Sequence, residues 1–191
     1  MIAMQEYEAL FGEAIAFSRA RNLAIPLWPT KVTPFLGDAH EALFVEELLR
    51  LVGTPPPLEL VAGRCLPIHA ALRPRIAMLT DAAPVLTIGA VETTTGSTWH
   101  SCSREDVDEW LARGHPDPDR IKFHAWLTLA SMEIVDFTME ASLLAAKILP
   151  DAGVIARRPS AVKGFEYKPV AVGNDLPWRL GLAMLVGILD V

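Results

Sequence analysis

The stretch FHAWLTLASMEIVDFT, residues 123–138, decides how this chain is read. Two runs rich in β-branched and aromatic residues flank a short centre, which predicts an antiparallel hairpin with strands at about 121–129 and 132–137. A turn centred on residue 130 would set His124 opposite Asp136 and Trp126 opposite Ile134, all on one face. A slip of one residue would send the two polar ends to different faces. The centre, Leu129-Ala130-Ser131, lacks the Asn-Gly or Asp-Gly pair that fixes tight hairpins.

Upstream, Cys65 follows VAGR and stands two residues before Pro67. Proline is tolerated in a first helical turn, where its missing N–H would have no partner, so a helix is expected from about Leu66, kinked or ended near Pro74. Val85 to Val91 is apolar on both faces, as a central strand would be, and TTTGST at 93–98 marks its turn. Met4, Tyr7, Phe11, Ala14 and Ser18 recur at helical spacing and predict an amphipathic helix ending near Asn22. Asp38 with Glu41 predicts a capped helix through LFVEELLRLV that Gly53 stops. Ser103 with Asp106 predicts another through VDEWLAR, ended by Gly114. Thr138 is expected to cap a helix through SLLAAKIL that stops at Pro150. GFEYKPVAV at 164–172 reads as a strand, and Pro177 opens a last helix. The sum is an α+β fold in a single domain over 1–191: a helical part at 1–60, a core at 62–140 with an insert at 93–122, and a helix-strand-helix end at 141–191.

The chain has 191 residues, is 51% hydrophobic and carries a net charge of −6, which supports one well-buried core and excludes the clustered basic surface that nucleic acid requires. Glu6, Glu8 and Glu13 interrupt the apolar amino terminus, so no secretory signal is expected and the location is taken as cytoplasmic. The apolar stretch after Arg179 runs about a dozen residues, short of the roughly 20 that span a bilayer. It reads as a core helix or as the surface of a homodimer. Cys65 and Cys102 are expected to be free thiols.

A thiol attacks a carbonyl as thiolate, and both a helix amino terminus and an imidazolium favour that form. Cys65 at a helix start would meet the positive end of the dipole, with free backbone N–H groups to hold an oxyanion. His124 would be the base and then the acid, and Asp136 would orient the imidazole. Taken singly, Cys65 is a small core residue and His124 a satisfied core histidine. Their joint placement favours a thiol site.

GRCLPIHAALRPRI (63–76), PVLTIGAV (84–91) and FHAWLTLASMEIVDFT together resemble the core of the transglutaminase-like branch of the papain-like thiol enzymes. Among them the stretch is similar to bacterial transglutaminase-like peptidases, including the leader peptidases of lasso-peptide pathways. The resemblance covers about residues 62–140 and implies Cys65 as nucleophile, His124 as base and Asp136 as its orienter, acting on a peptide or protein substrate without a cofactor. This chain departs from those relatives in its long insert, a candidate lid or substrate wall, and in its hairpin loop. The amide side chains that could assist an oxyanion are Gln5, Asn22 and Asn174, none near the motif.

Other features have plainer readings. Cys65, His69, His100 and Cys102 could be offered as a zinc set, but the spacing is not that of a common structural site, and no metal is assigned. His69 reads as packing, His100 with Cys102 as a strand or loop end, His115 and the acids of HPDPD as loop, and His40 as solvated. Glu105, Asp106, Asp108 and Glu109 suit a helix start. Trp99, Trp110 and Trp126 read as core or cleft walls. The competing class is a noncatalytic binding or scaffold protein with the same fold.

Overall fold

The computed structural model describes residues 4–27, 44–47, 50, 64–80, 83–116 and 122–182. The expected helix behind Asp38 is helical at 44–47 and 50, with its cap outside the described residues. In chain order the elements are α1 (Met4–Arg19), α2 (Cys65–Thr80), β1 (Val85–Thr93), β2 (Thr98–His100), α3 (Arg104–Arg113), β3 (His124–Thr128), β4 (Ile134–Asp136), α4 (Met139–Ala145), β5 (Ile155–Arg157), a 3-10 turn at Pro159–Ala161, β6 (Phe165–Val172) and α5 (Leu176–Arg179). The α+β class holds, with one six-stranded sheet whose ladders are all antiparallel.

Strand β1 is the axis of the sheet. Along one edge it pairs β6 from Thr87 to Thr93. Its other edge is shared: Val85–Gly89 pair with β3, and Val91 and Glu92 pair with β2. Strands β2 and β3 therefore lie end to end, bringing His100, opposite Val91, next to His124, opposite Gly89. The sheet continues through β4 to β5.

Side-chain alternation divides the core into two layers. Leu86, Ile88, Ala125, Leu127, Val135 and Ala156 pack with Leu66, Ile68, Leu72 and Ile76 of α2. Val85, Trp126, Ile134, Ile155 and Val172 pack with Tyr7, Phe11 and Ala14 of α1. A sheet covered on both faces explains why β3 and the first five residues of β1 are buried on both sides. Gly89 is fixed by crowding, since a Cβ there would sit 2.1 Å from the Lys168 carbonyl oxygen.

Helix α2 runs through Pro74 to Thr80, beyond the expected break. Leu72 and Ile76 are buried on either side, and Pro74 itself is exposed, so water can serve the carbonyl that the ring leaves without a donor. The capping box of Ser103 and Asp106 and the left-handed Gly114 bound α3 as the sequence predicts.

The hairpin register differs from the expected one. Leu127 pairs Val135 and Thr128 pairs Ile134, an offset of two residues, with the turn centred on Ser131. The Leu129 N–H donates to Glu133 O, and Met132 adopts a left-handed φ of 69°. This is a three-residue loop closed by a left-handed residue, a position usually given to glycine. An even offset keeps faces intact, so His124 and Asp136 stay on one side as a diagonal pair.

Two further corrections concern the carboxyl-terminal part. Helix α4 ends at Ala145, well before Pro150, because the Ile148 N–H turns back to Leu143 O and Lys147 takes a left-handed φ of 59°. Residues 155–157 form the strand β5, so the end is not a simple helix-strand-helix.

Candidate active site

His124 is the first residue of β3 and Asp136 the last of β4, so both stand at the same end of the sheet, where α2 begins with Cys65. His124 Nε2 donates to Asp136 Oδ2 at 2.6 Å, and the Cys65 side chain lies close enough to the same imidazole to favour its charged form. With Nε2 engaged, Nδ1 is the nitrogen left for the thiol. His124 and Asp136 are each 1% exposed, whereas Cys65 is half-buried. All three residues singled out in the sequence are thus brought together.

Burial would push the His124 ring down, but the charge and hydrogen bond of Asp136, with a smaller contribution from Cys65, outweigh it and hold the ring at about 10. Burial would likewise raise Asp136, yet the His124 charge, its hydrogen bond and backbone donors keep the carboxyl below the usual range. The pair is an imidazolium and a carboxylate at neutral pH.

Asp136 is satisfied on both oxygens. Oδ2 also accepts the Tyr167 hydroxyl at 2.7 Å. Oδ1 accepts the N–H of Thr138 at 2.8 Å, its hydroxyl at 3.1 Å and the N–H of Met139 at 3.1 Å. Asp136 therefore caps α4, the task expected of Thr138, whose own side chain makes no cap bond. Burial holds the Tyr167 hydroxyl far above its ordinary value, so it remains a donor. Behind it a buried chain runs from Trp126 Nε1 to Tyr7 Oη, to Thr128 Oγ1, to Thr87 Oγ1.

Two histidines flank the trio. The His100 ring stacks on His124 with centroids 4.8 Å apart, and its Nε2 is buried with no partner. Burial and the neighbouring His124 charge hold it at about 4, hence neutral. The sequence pattern marks His100 only as a strand or loop end; the sharing of one β1 edge by β2 and β3, which sets it against His124, has no local signal. His69 lies one turn into α2, with Nδ1 2.7 Å from Cys65 O and Nε2 3.0 Å from Phe137 N.

The first turn of α2 carries no acidic side chain, so its dipole is not neutralised where the thiol stands. Asn174, an expected oxyanion candidate, instead accepts from the Leu86 N–H, and Asn22 takes a left-handed turn after α1. Cys65 and Cys102 are both free. Burial raises the Cys102 thiol far above its ordinary value. Among the described residues no three His, Cys, Asp or Glu side chains converge as metal ligands. No described helix is long and apolar enough to cross a membrane. The apolar stretch expected to pack or dimerise falls mostly outside the described residues. No protein-family model, curated protein or solved structure matches the chain.

Proposed function

We propose that this protein is a thiol-dependent acyl-transfer enzyme that hydrolyses a peptide or amide bond, with Cys65 as nucleophile, His124 as acid and base, and Asp136 as orienter. The observation that carries this is the hydrogen-bonded pair of a buried imidazole and a buried carboxylate, with the half-buried Cys65 thiol beside the ring. The fold that goes with it is the transglutaminase-like, papain-like one, supported by the order of Cys-led helix, central strand, His strand and Asp strand. Peptide or protein would be the substrate, and free thiols suit a reducing cytoplasm.

In the first step the Cys65 sulfur bonds to the substrate carbonyl carbon, and the backbone N–H groups at the start of α2 receive the oxyanion. The carbon–nitrogen bond then breaks as His124 gives its proton to the leaving amine, leaving a thioester. Water attacks that carbon and loses a proton to neutral His124; the carbon–sulfur bond breaks, freeing the acid and restoring the thiolate–imidazolium pair. Throughout, Asp136 holds the ring and favours its charged form, while Tyr167 and the α4 N–H groups hold Asp136.

Competitive alkylation by iodoacetamide, read by mass spectrometry, tests this. Cys65 is expected to react at least about tenfold faster than Cys102 at neutral pH, and His124→Ala to slow the labelling of Cys65 itself about tenfold. Equal, slow labelling in both proteins would leave a noncatalytic scaffold.

A further inference from the structure

His69 has a use beyond packing that its two nitrogens specify. A carbonyl can only accept, so the Cys65 oxygen 2.7 Å from Nδ1 requires a proton on Nδ1. A backbone N–H can only donate, so Phe137 N, 3.0 Å from Nε2, requires a bare lone pair there. These contacts fix one neutral tautomer of a ring that is fully buried. Burial and the nearby His124 charge, which hold the ring at about 4, agree with it.

What the ring connects is specific. On one side is the backbone of the proposed nucleophile; on the other is the residue that follows Asp136. We propose that His69 is a positioning residue, a neutral strut that sets the start of α2 against the end of β4 and so fixes Cys65 relative to the His124–Asp136 pair. This rests on the thiol-site reading above. Neutrality is part of the device: Nε2 stands 3.4 Å from Asp136 Oδ1, and a proton there would set a second cation in competition with His124 for the same carboxylate. With the lone pair turned to Phe137, Asp136 is left to His124, Tyr167 and the cap of α4. The plain alternative is volume alone, since the ring also contacts the Phe137 ring at 6.0 Å.

Substitution separates the two. His69→Phe keeps an aromatic ring and loses both hydrogen bonds, while His69→Gln restores a donor and an acceptor on one arm. In the full-length protein, His69→Phe is expected to melt cooperatively yet to label Cys65 with iodoacetamide about tenfold more slowly at pH 7, with its pH–rate profile displaced upward, because small misplacements of reacting groups are costly. His69→Gln is expected to recover part of the rate. Nitrogen-15 imidazole NMR of the wild type is expected to find Nδ1 protonated and Nε2 bare across neutral pH. A folded His69→Phe protein with the wild-type rate and profile would reduce His69 to packing. An Nε2–H tautomer or an imidazolium would overturn the strut whether or not the variants fold. Slow labelling of wild-type Cys65 would instead sink the thiol-site reading itself, which separates the two failures.

Discussion

Asp136 binds one imidazolium, one phenol and the first turn of a helix through five hydrogen bonds, so its loss should be felt both in stability and at the thiol. Asp136→Ala removes the charge partner of a buried imidazole, leaves Tyr167 and His124 without their acceptor and uncaps α4, and is expected to cost about 3–5 kcal/mol in urea unfolding at pH 7. His124 in that protein should titrate below its ordinary value, since burial then outweighs the smaller contribution of Cys65, and NMR of the ring measures this. A cost below about 1 kcal/mol would mean that the carboxylate is not the hub described. At this scale the sequence is informative about chemistry and poor about partners. Cys65, His124 and Asp136 are legible because their residue types and the alternation of one hairpin bring them together. The roles of His69, His100 and Tyr167 are not, because each depends on a pairing between segments distant in sequence.

Among the elements, the amphipathic α1, the boxed α3, the apolar β1 and the strand β6 are all readable from local pattern, and each is found where expected. Misreadings occur where a left-handed residue is not glycine. Met132 closes the hairpin and moves its register by two; Lys147 ends α4 early. Neither residue advertises that conformation, and tertiary packing imposes it. Lys147 is exposed, so its backbone strain can be relieved without loss of contacts. Lys147→Gly should therefore stabilise the protein by about 1 kcal/mol, seen as a raised urea midpoint at unchanged slope. A destabilised variant would contradict the cap assigned to α4. The strand β5 escaped the sequence reading because three residues, Ile155-Ala156-Arg157, are too few to show a period.

For the molecule as a whole, the buried histidines set opposing limits in pH. His69 and His100 sit at about 4 when folded, below their ordinary 6.5, so the unfolded chain takes up protons first and stability falls as pH drops from 6.5 towards 4. His124 sits at about 10, so its contribution is complete below 6.5 and is lost as pH rises towards 10. Asp136, whose carboxyl is held low, contributes above the ordinary carboxylate range and loses that contribution only in stronger acid. Each histidine contributes a slope of up to about 1.4 kcal/mol per pH unit, and the His124–Asp136 interaction is counted once. Urea unfolding is thus expected to give a dome with its maximum near pH 6.5, and a flat profile would contradict the charge states assigned here.

The shared edge of β1 has a consequence for the life of the chain before it is folded. Strand β3 reaches its place only by pairing with β1, β2 fills the remainder of that edge, and β6, made last among the strands, closes the opposite side and delivers Tyr167 to Asp136. Pairings of such long sequence separation form late. A chain emerging from the ribosome therefore holds Cys65 with no imidazole beside it, and the proposed thiol site is assembled only when the sheet is complete.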